Sequence, residues 1–134
     1  MQALEKAVGP QGRAILVRTG QALVGLLFLV SGVNKLTRFS AVAGAIGSKG
    51  LPLPDIVLAG VIAIEILCGL ALIANRQAAR AAAVLALFVV AATVLFHPFW
   101  VADAAALQNQ LNHFLKNVAI LGALFALAGA ARRA

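Results

Sequence analysis

The sequence predicts an all-α membrane protein: a four-transmembrane-helix antiparallel bundle with a short amphipathic interfacial helix between helices 1 and 2. Three observations predict it. Of 134 residues, 63% are apolar and only 11% are charged, about half the charged fraction of a soluble domain. Four runs approach the roughly 20 apolar residues needed to span about 30 Å of hydrocarbon at about 1.5 Å each. Those runs take up too much of so short a chain for a soluble core to hide them. The same composition excludes a disordered chain. The net charge of +7, carried on so few side chains, suits anionic lipid head groups as partners and not nucleic acid.

The elements follow in order, in one membrane domain covering 1–134. The first span is expected at about 14–35, with Arg18 and Gln21 near its start. The basic arm before Ala14 resembles the n-region of a signal peptide. The apolar run is too long for that, and Asn34-Lys35-Leu36 offers no small-residue cleavage site, so the run reads as an uncleaved span. Phe39, Val42, Ala43 and Ile46 then share one face of a short helix at about 37–47, ended by Gly47 and Gly50. It is expected to lie in the interface. Pro52 and Pro54 fix the entry to the second span, about 56–74, and Asp55 is its expected cap. Asn75-Arg76-Gln77 is a tight turn, too short for anything but an antiparallel neighbour at about 78–97. Pro98 ends that third span just after His97. A connection holding Trp100, suited to head-group depth, and an amide-rich run from Gln108 to Asn112 lead to the fourth span, about 114–131. There Gly122, Ala126 and Ala130 make a small-residue stripe that serves bundle packing or oligomer formation.

Basic residues orient the bundle. Lys6, Arg13, Arg18, Arg76, Arg80, Arg132 and Arg133 fall on one side; Lys35, Arg38, Lys49 and Lys116 fall on the other. The richer side is expected to be cytoplasmic. Both termini are then inside, and the two longer connections are outside. The membrane is expected to be crossed four times.

Polar residues inside the spans are the candidate site. Glu65 stands near the middle of its span, where a carboxylate costs a few kcal/mol and needs a proton or a partner. Ser31, Asn34 and Lys35 share a face of the first span, Thr93 and His97 one of the third, and His113, Lys116 and Asn117 one of the fourth. All lie toward the outer end, which implies an outward polar pocket floored by Glu65. A direct Glu65–Lys116 contact needs both side chains to reach or a water between them. Lys35 and Lys116 also have the option of snorkelling to head groups. The lone Cys68 reads as a packing residue, with no dithiol pair. Two histidines without a carboxylate or thiolate at ligand spacing do not make a metal site or a haem set. A quinone suits the pocket better, with apolar walls and imidazole or lysine donors for its carbonyl. No phosphate loop, nucleophile elbow or zinc motif is present.

The segments LVGLLFLVSGVNKL (23–36), KGLPLP (49–54), IEILCGLAL (64–72), ATVLFHPFW (92–100) and NHFLKNVAILGALF (112–125) together resemble the DoxX family of small bacterial membrane proteins. The likeness covers about 14–131. The family pattern falls on Gly32, Asn34, Lys35, Glu65, Phe96, His97, Phe99, Trp100, Asn112, His113, Phe114, Lys116 and Asn117. The resemblance implies association with quinone-linked or thiol-stress redox complexes. With no cysteine pair, the chain is expected to be an accessory subunit without independent catalysis, beside a membrane or extracytoplasmic redox partner. Any activity would be that of a quinone-linked oxidoreductase subunit. The competing expectations are a small-solute permease or exporter working as a homo-oligomer, and a non-catalytic membrane scaffold. The candidate ligand-binding or proton-active residues are Asn34, Lys35, Glu65, Thr93, His97, Trp100, His113, Lys116 and Asn117.

Overall fold

The computed structural model describes residues 2–131; the basic pair Arg132 and Arg133 lies outside the described residues. Five α-helices follow one another: α1 (Gln2–Thr37), α2 (Phe39–Ser48), α3 (Pro54–Ile73), α4 (Ala78–Phe96) and α5 (Leu107–Ala131), with one 3-10 turn at Phe99–Val101. Four of them are long and apolar enough to cross a membrane: Lys6–Thr37, Pro54–Ile73, Ala78–Val101 and Leu107–Ala130. The protein is a multi-pass membrane protein.

Helix α1 begins well before Ala14. It bends at Gly9, whose φ of 65° and ψ of 171° are not helical, and restarts at Pro10. Proline has no N–H to leave unbonded in a first turn, and its fixed φ suits that position. The basic arm is therefore helical too. At the start of α3 the structure corrects an expectation. Leu53, in the left-handed region, is the N-cap and no side chain caps the helix; Asp55 lies in the first turn. Its charge there favours the positive end of the helix dipole without a capping bond. Asn75 and Gln77, both at φ 54°, reverse the chain between α3 and α4, and Arg76 N–H closes the α3 end by donating to the Ala71 carbonyl (2.9 Å).

Helix α5 starts earlier than its apolar run. Asp103 accepts from Ala106 N–H at 2.9 Å, and its backbone carbonyl accepts from Leu107 N–H at 2.9 Å. This cap turns the amide-rich run into the first turns of α5, so His113, Lys116 and Asn117 stand well inside a helix and not at its start.

The helices pack as antiparallel neighbours. Along α1 and α3, Gln21 meets Leu72 and Asn75, while Lys35 meets Glu65. Along α4 and α5, Thr93 meets Asn117 and His97 meets Gln110. Lipid removes most of the hydrophobic drive between helices, so close van der Waals approach and hydrogen bonds carry the association. That approach is tightest between α1 and α3. A side-chain carbon added at Gly25 would stand 2.7 Å from the Gly69 carbonyl oxygen, and one at Gly69 would stand 2.8 Å from the Gly25 carbonyl oxygen. The stripe on α5 makes no such contact: Gly122 and Ala126 are exposed, and nothing lies within 4 Å of a carbon added at Gly122. It does not serve packing within the bundle.

The main apolar core joins Phe28, Leu72, Leu85, Val89 and Leu124 with the alanine face of α4, and Cys68 packs at its edge. Helix α2 has a core of its own. Ala43 and Ile46 bury against Leu58 and Ile62, with Phe39, Val42 and Phe96 alongside. The amphipathic face read from the sequence is thus applied to α3, and α2 becomes a wall of the bundle.

Gly69→Leu should force α1 and α3 apart and cost about 1–3 kcal/mol, whereas Gly122→Leu should leave the monomer's stability within about 0.5 kcal/mol. Equilibrium unfolding in detergent distinguishes the two, and equal losses at both positions would contradict the packing described.

Candidate functional site

The site grows from one demand: Glu65 is 2% exposed in the middle of an apolar helix. A charge buried there needs a counter-charge and hydrogen bonds. Helix α1 supplies both from one face, because Ser31 and Lys35 stand one turn apart. Lys35 Nζ lies 3.0 Å from Oε1 and 3.0 Å from Oε2 of Glu65. It also donates to Ser31 Oγ at 2.6 Å, and Ser31 Oγ–H donates to Glu65 Oε1 at 3.0 Å. The close approach of α1 to α3 makes this reach short. The two carboxylate oxygens are not equivalent. Oε1 accepts two directed hydrogen bonds, while buried Oε2 has the ammonium charge beside it and no directed bond.

A second polar group joins α4 to α5. Thr93 is buried; its hydroxyl donates to the Val89 carbonyl (2.6 Å) and accepts from Asn117 Nδ2 (2.9 Å). His97 and His113 stack with ring centroids 4.8 Å apart and planes 15° apart. His97 Nδ1–H donates to Gln110 Oε1 at 2.9 Å. Phe99, Trp100 and Phe114 form edge-to-face contacts next to the histidines, with centroids 4.9–6.1 Å apart.

Between these two groups lies a cavity of about 560 Å³, within the range usual for small-molecule sites. Lys35, Glu65, His97 and Asn117 contribute its polar wall, together with Ser31 and Arg38. Leu27, Phe28 and Val89 line an apolar part, and Val42 and Ile46 of α2 line another. The cavity is therefore amphiphilic.

Four of the candidate residues line this cavity: Lys35, Glu65, His97 and Asn117. Thr93 and His113 support it from behind, through Asn117 and His97. Asn34, Trp100 and Lys116 are exposed. Asn34 lines a separate shallow groove along α1, with Leu23, Leu26 and Val30, which adjoins the cavity at Leu27 and Ser31. The cation beside Glu65 is Lys35, not Lys116. Three participants were not singled out from sequence. Gln110, three residues before His113 on the same helix, had a readable signal only once α5 is known to start at Leu107. Arg38 follows Lys35 by three residues on the cavity side. Gln21, 5% exposed, donates to the Leu72 carbonyl (2.7 Å) and to Asn75 Oδ1 (2.9 Å), closing the far end of α3.

Removing Lys35 alone strands the carboxylate, whereas removing both charges does not. Lys35→Met and Glu65→Gln together should destabilise the bundle by less than the sum of their single effects, with a coupling of about 1–3 kcal/mol. A double-mutant cycle on detergent unfolding measures it, and a coupling near zero would mean that the pair does not hold α1 to α3.

Comparison with known proteins identifies the family. The family model described as DoxX matches residues 17–98, which is more than half of the chain and takes in Lys35, Glu65 and His97. No curated protein matches, and no solved structure matches. The chain belongs to the DoxX family.

Proposed function

We propose that this DoxX-family membrane protein is a non-catalytic, accessory subunit of a membrane redox system, and that its cavity holds a quinone-type ring. The observation that carries the reading is the cavity itself: apolar walls on five helices, with one buried, charge-paired carboxylate among its lining. A lipid-soluble ring needs a dry, flat-walled space and a few polar groups for its oxygens. Lys35, Glu65 and His97 are those groups. A bound quinone would supply two-electron, two-proton redox chemistry. The chain's own residues would orient the ring, exclude water through the α2 wall and present hydrogen-bonding atoms to its oxygens.

The setting proposed is a bacterial cytoplasmic membrane, with both termini cytoplasmic and the Lys35 end of the bundle outward. The distribution of Lys6, Arg13, Arg18, Arg76 and Arg80 against Lys35, Arg38, Lys49 and Lys116 supports it. The polar wall then lies toward the outer face, open to an extracytoplasmic or membrane-embedded redox partner.

Protein purified from native membranes in mild detergent should yield quinone on solvent extraction, detected by mass spectrometry at near one per chain. Ala92→Trp, which places an indole on the cavity wall, should lower that yield at least about fivefold while the melting behaviour stays close to the parent. No quinone above the detergent background in the parent would sink the reading. For orientation, a fluorescent protein fused to the C-terminus should glow, and alkaline phosphatase inserted after Gly50 should be active. The opposite pattern would invert the topology.

A further inference from the structure

We infer that the cavity takes a ligand carrying one ionised oxygen, held at Arg38 in the mouth, with its apolar body against Phe28, Leu58 and Val89. The inference rests on the proposed reading of the cavity as a ring site and adds the charge that the ring carries. It comes from the sum of the charges in the lining and from the place of the one left over.

Lys35, Arg38 and Glu65 are the charged side chains of the lining. Glu65 is the one acid among them, and Lys35 compensates it at 3.0 Å. Arg38 has no such counterpart: among the described residues its guanidinium makes no hydrogen bond and no ion pair. Two cations against one acid leave the lining positive. The positions matter as much as the sum. Arg38 stands between α1 and α2, as the N-cap of α2, and it is exposed while lining the cavity. Phe28 of α1, Leu58 of α3 and Val89 of α4 line the same cavity and are buried. The free charge is therefore at the mouth and the apolar surface inside, which is the layout of an amphiphile.

The unspent donors point the same way. An ammonium has three N–H bonds and a guanidinium five. Lys35 directs bonds to Ser31 and to Glu65 Oε1 and keeps a third N–H. Asn117 gives one of its two amide hydrogens to Thr93 and keeps the other. Arg38 keeps its whole fork. Glu65 Oε2, by contrast, is sealed from the cavity space. An ionised oxygen accepts from such donors through charge-assisted bonds, roughly twice as strong as neutral ones. A neutral carbonyl accepts as well, but without the charge. Coulomb attraction grows as the local dielectric falls, so an apolar body that displaces water from the mouth strengthens the pairing with Arg38. A cationic ligand meets repulsion at the same place. Arg38 is the specificity-determining residue.

The test is binding to the detergent-solubilised full chain, by titration calorimetry at neutral pH. Two rings of nearly equal size are the probes: 2-hydroxy-1,4-naphthoquinone, ionised at that pH, and 2-methoxy-1,4-naphthoquinone, which is neutral. The parent chain is expected to bind the ionised ring at least about tenfold tighter, a difference of about 1.4 kcal/mol. Arg38→Gln changes an exposed side chain, and it should bring the two affinities to within about twofold of each other. Arg38→Lys keeps the charge and should keep most of the preference. Equal or tighter binding of the methoxy ring by the parent overturns the inference and leaves the ring site standing. An undiminished preference in Arg38→Gln overturns the assignment to Arg38. The titrations are repeated with phosphatidylglycerol in the micelle: a retained preference supports the inference, and its loss overturns it by giving Arg38 to a lipid phosphate. Failure of both rings to bind overturns the inference together with the ring site on which it rests.

Discussion

A carboxylate in the middle of an apolar helix is the constraint from which the rest of this structure follows. Glu65 costs a few kcal/mol if left alone in hydrocarbon. Its partner must come from another helix, because α3 itself carries no cation. Lys35 and Ser31 answer from α1, and they reach only because glycines let the two backbones nearly touch. The ion pair therefore sets which helix lies beside α3, in which direction and at which register. Gln21, by closing the other end of α3, pins the same register from below. Two polar anchors with a glycine contact between them leave α1 and α3 no room to slide.

Much of this was legible in the sequence, and the reasons are particular. Length and hydropathy identify a spanning helix almost without error, since nothing else needs twenty apolar residues in a row. The turn between α3 and α4 and the amphipathic face of α2 were equally plain, because each is a local pattern. Helix ends were less plain. The start of α5 depends on an Asp103 cap followed by amide residues that look like a loop by composition. The N-terminal arm is helical on both sides of a bend at Gly9 and Pro10, which the apolar run starting near Ala14 does not mark. Pairing was the hardest. Lys35 and Lys116 were both credible partners for Glu65, and only the α1–α3 approach decides between them. Gly25 and Gly69 hold that approach, yet a glycine inside an apolar run announces nothing about its neighbour. The small stripe on α5 carried the stronger pattern and stays exposed.

Within the candidate site, depth was readable and direction was not. Position along a span tells how far Glu65, His97 or Asn117 lies from an end. It does not tell which face meets which. Thr93 and His113 ended behind the cavity wall, while Asn34 turned to an adjoining groove on α1. A polar residue at membrane depth can satisfy itself by pairing within the bundle, by lining a cavity or by facing outward near an end. This chain uses all three, at positions that sequence spacing treats alike.

The arrangement of the hydrogen bonds gives the cavity its meaning. Those from Gln21, Ser31 and Lys35 stay within the α1–α3 pair. Those from His97 and Asn117 stay within the α4–α5 pair. The two pairs meet through apolar packing, the short turn after Ala74 and the cavity. Apolar contact in lipid is weakly directional, so the seam between the pairs is the least specified interface of the bundle. The Glu65 carboxylate stands on one side of that seam and the His97 imidazole on the other, both in the lining of the cavity. A ligand in contact with both sides would do between the pairs what Lys35 does within one of them. The same shortage of polar contacts that leaves the seam open to a ring would make the ring a structural tie once bound.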